Sequence, residues 1–161
     1  MSGERLRRVA CALAGVWAGL MAGIGFVAAP TLFAQLGRAD AGRVAGRLFL
    51  TDAYLGLAFG AVLLLLARQV AKADAERGGS RFSTEMILAL AALFCIVAGH
   101  FGPQPMLEAA RAGGGGASFA VLHGVASAFF VAKLALVAVL AWRLGRPGGP
   151  VRAAAPTSSD S

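Results

Sequence analysis

Residues 5–30 read RLRRVACALAGVWAGLMAGIGFVAAP, and the 22 residues from Val9 to Pro30 carry no charge. A helix of this length can cross the roughly 30 Å of hydrocarbon in a bilayer. The run is longer than the apolar part of a typical signal peptide and ends against Pro30, so the sequence predicts a retained first membrane span. The span must be helical because lipid offers no hydrogen-bond partners to the backbone.

The composition of the whole chain also indicates a membrane protein. Hydrophobic residues make up 58% of the 161 residues and charged residues only 14%, which is more apolar surface than one water-soluble core of this size can bury. The net charge of +7 raises the alternative of nucleic-acid binding. The arginines lie at the ends of apolar runs rather than beside interleaved aromatic residues, so we expect a lipid bilayer as partner and no nucleic acid.

Three more apolar runs follow the first, which predicts an all-α, antiparallel up-down bundle of four transmembrane helices. Ser83 or Thr84 is available to cap the third helix. We expect a cytoplasmic N-terminus at 1–8, a membrane domain at 9–142 and a disordered cytoplasmic tail at 143–161. The predicted spans are about 9–30, 48–67, 86–107 and 119–142.

Basic residues predict the orientation. With four spans, the N-terminus, the middle loop and the C-terminal tail share one side of the membrane, and that side carries ten of the 15 basic residues. The opposite side carries four. The excess of Lys and Arg on cytoplasmic segments therefore places both termini in the cytoplasm, as in a multi-pass protein of the bacterial inner membrane.

Small residues on the first two spans predict close helix packing. Gly15, Gly19 and Gly23 recur every four residues, and Gly56 and Gly60 repeat this spacing. Small residues at this interval let helix backbones approach closely in a membrane. The interface lies either within the bundle or with a partner, which would be a second copy of the chain or another subunit of a membrane complex.

Three titratable residues are expected near the outer face. At about 1.5 Å per residue from the cytoplasmic ends, Asp52, His100 and His123 lie roughly 20 to 30 Å deep. Such groups could bind a metal or haem, relay protons or close a polar lid, or they could form a purely structural cluster. The residues expected to support them are Arg43, Arg47, Gln104, Ser127 and Lys133.

Lys133 is a separate case. It lies nine residues from Trp142, near the middle of the membrane, where no carboxylate is expected at its depth. Trp17 and Cys95 are expected at the same level. The sequence leaves open a cation over an indole ring and a neutral lysine with a lowered pKa.

Four short pieces, taken in order, resemble the transmembrane protein 205-like family of small four-span membrane proteins, known as domain of unknown function 4149. They are GFVAAPTLF at 25–33, AGRVAGRLF at 41–49, HFGPQP at 100–105 and LHGVAS at 122–127. The resemblance implies a four-span fold and a membrane location. More distantly, the chain looks like copper-resistance D-type and haem-biosynthesis membrane proteins, in which histidines bind the cofactor. The positions that match are Pro30, Phe33, Gly46, His100, Gln104, Pro105, His123, Gly124 and Ser127.

We expect a non-enzymatic membrane protein. The sequence contains no nucleophile elbow, P-loop or paired carboxylates, which argues against an acyl-transfer or phosphoryl-transfer enzyme. We expect it to handle a metal or small solute through His100, His123 and Asp52 at the outer face. One alternative is a redox or biosynthetic protein that binds haem or a metal ion through the two histidines. The other is an assembly subunit without a ligand, and the spacing of the glycines is the observation that suggests this alternative.

Overall fold

The computed structural model describes residues 3–75, 83–102, 106 and 119–146. These residues form helices and turns and contain no strand, which confirms the all-α prediction. Two of the helical stretches are π-helical, with one more residue per hydrogen-bonded turn than an α-helix. The elements are α1 (Gly3–Ala22), a first π segment (Gly23–Ala28), α2 (Ala29–Gln35), α3 (Arg38–Ala75), α4 (Thr84–Ile96), a second π segment (Val97–Phe101) and α5 (Phe119–Gly145).

Within the described part of the chain, four helical stretches are long and apolar enough to cross a membrane, as the sequence predicts. Their bounds are Gly3–Gln35, Arg38–Lys72, Thr84–Phe101 and Ala120–Gly145. The second is the longest, because α3 has 38 residues and therefore extends about 57 Å. Most of the predicted continuation of the third span to residue 107, and the predicted tail after residue 146, lie outside the described residues.

Polar side chains mark the ends of two helices at one end of the bundle. Ser83 caps α4, since its hydroxyl accepts a hydrogen bond from the backbone N–H of Met86 at 3.3 Å. This confirms the predicted capping position. Arg7 donates to the backbone carbonyls of Arg143 at 2.9 Å and Leu144 at 3.1 Å, which satisfies the last turn of α5.

The core is built around Trp17, whose side chain is completely buried. On α1, Ala10, Ala14, Trp17 and Met21 form the buried stripe, with the spacing of one helix face. The Trp17 ring stacks on Phe59 of α3 with 6.0 Å between ring centroids. Gly56 and Gly60 of α3 lie beside the indole and therefore let this helix pack closely against Trp17.

The two predicted glycine rows lie in different environments. A Cβ atom at Gly56 would lie 2.9 Å from Ile96 Cδ1, and one at Gly60 would lie 2.5 Å from Leu93 Cδ2. These glycines therefore allow α3 and α4 to pack closely. A Cβ atom at Gly15, Gly19 or Gly23 would have no atom of another described residue within 4 Å, so this row faces away from the described bundle. Of the glycines predicted to pack, Gly56 and Gly60 thus lie in a contact within the bundle. The other three lie on an open face of α1.

Candidate functional site: a polar centre formed by four helices

A buried ion pair lies inside the bundle. Lys133 Nζ on α5 donates a hydrogen bond to Asp52 Oδ2 on α3 at 2.6 Å. Asp52 is 1% exposed and Lys133 is 4% exposed. A charge-assisted hydrogen bond is short and strong, but burying two charges costs several kcal/mol per ion before their attraction is counted. Such a pair at the centre of a membrane bundle therefore needs a specific explanation.

The sequence predicts no carboxylate at the depth of Lys133, and that prediction is wrong. A count of backbone positions ignores the length of the lysine side chain. Side chains on a helix point toward its N-terminus, and Lys133 Nζ indeed lies 5.1 Å from the ring centroid of Phe130, one turn earlier in α5. This displacement carries the ammonium toward Asp52. The aromatic contact of Lys133 is with this phenylalanine, whereas an indole was one of the two expectations.

Trp17 brings an indole N–H close to the ion pair. Its Nε1 lies 3.5 Å from the position of a Cβ atom on Gly56, which is one helical turn beyond Asp52 on the same face of α3. This nitrogen is buried and has no hydrogen-bond partner among the described residues. The glycine at position 56 is what leaves room for the indole beside the backbone of α3.

His100 lies on the third span near Asp52. The contacts between α3 and α4 progress from Gly60 with Leu93 to Gly56 with Ile96, that is, toward Asp52 on α3 and toward the second π segment, which carries His100. The charges of Lys133 and Asp52 both act on the imidazole. His100 Nε2 is buried without a hydrogen-bond partner in the described part of the chain, and its ring meets Phe101 edge-on at 5.2 Å.

We call Trp17, Asp52, His100 and Lys133 the polar centre, in which each of the four candidate spans supplies one residue. Three of its buried atoms lack hydrogen-bond partners among the described residues: Trp17 Nε1, Asp52 Oδ1 and His100 Nε2. A buried polar atom without a partner costs about 1 to 3 kcal/mol. The group contains a fixed donor, an acceptor and an imidazole nitrogen that can be either, so it can bind a small polar molecule or pass protons.

Both π segments pack against the same turn of α5, directly beside the polar centre. A Cβ atom on Gly25 in the first segment would lie 2.7 Å from Phe130 Cε1. A Cβ atom on Gly99 in the second segment would collide with the side chain of Phe129. π-Helical turns are rare and occur frequently at functional sites. Their meeting at two neighbouring residues supports the assignment of this region as the site.

The other predicted site residues lie away from the polar centre. His123 and Ser127 are exposed on α5, and Arg43 and Arg47 are exposed near the start of α3. Arg43 forms an ion pair with Asp40. Gln104 lies outside the described residues.

The structure does not bring Asp52, His100 and His123 together as a metal-binding group. Among the described residues, no three or more His, Cys, Asp or Glu side chains are placed to hold a metal ion. Asp52 is bound to Lys133. Phe129, which contacts Gly99, lies six residues after His123, which is about one and two-thirds helical turns along α5. Binding of a metal or haem by the two histidines alone stays a prediction.

Sequence reasoning missed two features of the site. It did not pair Lys133 with Asp52, although the N-terminal tilt of helical side chains could have suggested a partner one turn further out. It also did not assign Trp17 to the site as an unpartnered donor. The signal for that role is Gly56, since a glycine in the middle of a span one turn from a buried acid indicates a close neighbour on that face.

The four apolar helices and the charged group buried among them define a multi-pass α-helical membrane protein. Residues 12–115 match the family model of the domain of unknown function DUF4149. This segment is more than half of the chain, and the chain therefore belongs to that family. The match includes Asp52 and His100 and ends before α5, which carries Lys133. Comparison with curated proteins and with solved structures found no match.

Proposed function

We propose that this protein is an antiparallel four-span protein of the bacterial inner membrane that transfers protons through the polar centre. The antiparallel order is supported by the contacts of Gly60 with Leu93 and Gly56 with Ile96, because residue numbers rise along α3 as they fall along α4. Cytoplasmic termini are supported by the excess of basic residues on the N-terminal, middle and C-terminal segments.

The buried Asp52–Lys133 pair is the observation that carries this proposal. Replacing a buried ion pair by apolar residues of similar volume is often neutral or stabilising, so packing alone does not explain two charges at this position. Ionisable residues inside membrane bundles commonly belong to ion pathways and proton relays. A pair in which one carboxylate oxygen is still available therefore favours a role for the charges themselves.

The hydrogen bond between the two side chains provides a complete proton-transfer step. Movement of the shared proton from Lys133 Nζ to Asp52 Oδ2 converts the ion pair into a neutral amine and a neutral acid. The amine then accepts a proton from one direction, and the acid releases its proton in the other direction, which restores the ion pair. His100 is half-buried and near Asp52, and Gly102 two residues later is exposed, so His100 is suited to exchange the released proton with solvent.

The test measures proton flux through the full-length chain in vesicles that contain a pH-sensitive dye. After an external pH step, with valinomycin and potassium present to balance charge, the wild type should equilibrate faster than protein-free vesicles. Asp52→Asn should reduce the rate to that of protein-free vesicles. Asp40→Asn makes the same chemical change at an exposed position of the same helix and should leave the rate unchanged.

A second variant distinguishes loss of proton transfer from loss of folding. Asp52→Leu combined with Lys133→Met removes both charges and should keep the helical circular dichroism spectrum of the wild type while abolishing flux. Equal flux in wild type and this double variant would overturn the proposal. Wild-type flux no faster than that of protein-free vesicles would also overturn it.

Assembly through α1 is a second candidate function, supported by the open face at Gly15, Gly19 and Gly23. A second helix could approach this row closely, in a homo-oligomer or a membrane complex. Gly19→Leu should then reduce the oligomer fraction in cross-linking or size-exclusion measurements. His100→Ala and His123→Ala should leave assembly unchanged, and an unchanged oligomer fraction in Gly19→Leu would rule out this interface.

A further inference from the structure

A groove at the start of α3 lies apart from the polar centre. It has a volume of about 370 Å³, and its wall includes Leu36, Asp40, Arg43, Val44 and Arg47. Asp40, Arg43, Val44 and Arg47 lie on one face of the first turns of the second span, and Leu36 lies just before α3 begins at Arg38. The wall is partly apolar and partly charged.

The charges in this groove do not balance. Arg43 is paired with Asp40 through a direct hydrogen bond. Arg47 lies four residues after Arg43, and like charges at this spacing repel each other on a helix. Among the described residues of the groove wall, one carboxylate therefore faces two guanidinium groups, which leaves a net charge of about +1 for an anion to neutralise.

The form of the groove favours a lipid over a free anion. Leu36 and Val44 are 42% and 40% exposed beside the arginines, so an occupant has to cover apolar surface as well as neutralise charge. The groove also lies at the beginning of a membrane span, where phosphate groups of the bilayer are found. Guanidinium groups bind phosphate oxygens through two parallel hydrogen bonds, which makes Arg the preferred residue for such contacts.

We propose that this groove binds an anionic phospholipid. Arg47 and Arg43 bind its phosphate, while Leu36 and Val44 contact the glycerol and the beginning of the acyl chains. This inference is independent of proton transfer, because none of these residues belongs to the polar centre.

The experiment measures retention of phosphatidylglycerol by the detergent-solubilised full-length protein, using native mass spectrometry. The wild type should retain phosphatidylglycerol in preference to phosphatidylcholine. Arg47→Gln should lower the apparent affinity roughly fivefold, and Arg43→Gln with Arg47→Gln should lower it further. Arg38→Gln is the matched control, since Arg38 is an exposed arginine of the same helix that is not part of the groove wall, and it should retain lipid as the wild type does.

Three outcomes would overturn the proposal. Equal retention of phosphatidylglycerol and phosphatidylcholine would show that the net charge does not select the lipid. An equal loss in Arg38→Gln and Arg47→Gln would assign binding to the general positive charge of this end of α3. If added inorganic phosphate displaces phosphatidylglycerol from the protein, the groove is a site for free phosphate instead. Circular dichroism of each variant verifies that lost binding is not lost folding.

Discussion

Two aspartates of α3 form ion pairs with basic side chains, one at the surface and one in the interior of the bundle. Asp40 and Arg43 form a local pair at the exposed start of the helix, and both side chains are mostly accessible. Asp52 and Lys133 join two helices, and their side chains are almost completely buried. Screening makes an exposed pair worth little to stability, whereas breaking a buried pair leaves an uncompensated charge in a medium of low polarity. The contribution of each pair to stability therefore depends on its burial, since the charges are the same.

Lys133→Met should have the largest effect on stability. It leaves the Asp52 carboxylate buried without its cation, which should lower the free energy of unfolding by about 3 to 5 kcal/mol. Unfolding in mixed micelles with increasing dodecyl sulfate, followed by circular dichroism, measures the change. A loss under 1 kcal/mol would show that water reaches the carboxylate and that the pair is not truly buried.

Asp52→Leu with Lys133→Met should recover most of the stability lost in the single variant. Both charges are then absent, and apolar replacements of a buried pair are often neutral or stabilising by 1 to 4 kcal/mol. The same unfolding measurement, arranged as a double-mutant cycle, gives the coupling between the two positions. If the losses in the free energy of unfolding of the two single variants add up to that of the double variant, the two residues do not interact and the buried ion pair is ruled out.

Gly99→Ala should be costly next to the polar centre, although it adds only a methyl group. The new Cβ atom would collide with Phe129, and overpacking of this kind costs about 1 to 3 kcal/mol. Gly15→Ala is the control, because it adds the same group on the open face of α1 and should be neutral or slightly stabilising. Equal losses in the two variants would mean that the second π segment does not pack against α5.

Arg143→Gln tests an intermediate degree of burial. Its Nε atom donates to Glu85 Oε1 at 3.1 Å, and the two side chains are 40% and 19% exposed. We expect a loss of about 1 kcal/mol or less, after allowance for solvent screening. Arg8→Gln breaks the more exposed pair with Glu4 and should cost less in the same unfolding assay. The reverse order would contradict the dependence on burial.

Asp40→Asn should have a small effect, comparable with that of Arg8→Gln. It breaks the exposed pair with Arg43, for which a few tenths of a kcal/mol is the usual contribution. Raising the salt concentration should reduce the difference from wild type further, as expected for a screened interaction. A loss as large as that of Lys133→Met would mean that the start of α3 is covered by other parts of the protein.

Much of the fold could be predicted because the bilayer imposes simple rules on sequence. Length and hydropathy were sufficient to predict four helices, and Ser83 was identified as a cap from its position before an apolar run. The π segments were not predicted, because glycine, apolar residues and even a histidine such as His100 also occur in regular membrane helices and do not signal a π turn. The local backbone there is determined by contacts between helices, such as that of Gly99 with Phe129.

The site was only partly predictable, for a physical reason. Asp52, His100 and Lys133 could be recognised individually, since ionisable residues are rare in membrane spans. Which of them meet depends on helix rotation and side-chain direction, and a count of residues along each helix gives neither. His123 was grouped with Asp52 by depth alone, yet it lies on an exposed face of α5. Two residues at the same depth in the membrane are in contact only if their side chains also face each other within the bundle.

The two π segments affect how the outer parts of the first and third spans can change. Each contains one residue more than a regular helix would need, so the backbone on its far side is turned by about 100° relative to an uninterrupted α-helix. Deleting a single amino acid within Gly23–Ala28 would remove this surplus residue and leave Pro30 and all of α2 on their present side of the bundle. Converting the segment to a regular α-helix without a deletion would instead turn α2 by about 100°. The same conversion within Val97–Phe101 would change the direction of the His100 imidazole relative to Asp52. The two π segments therefore set which side of the bundle the following residues face.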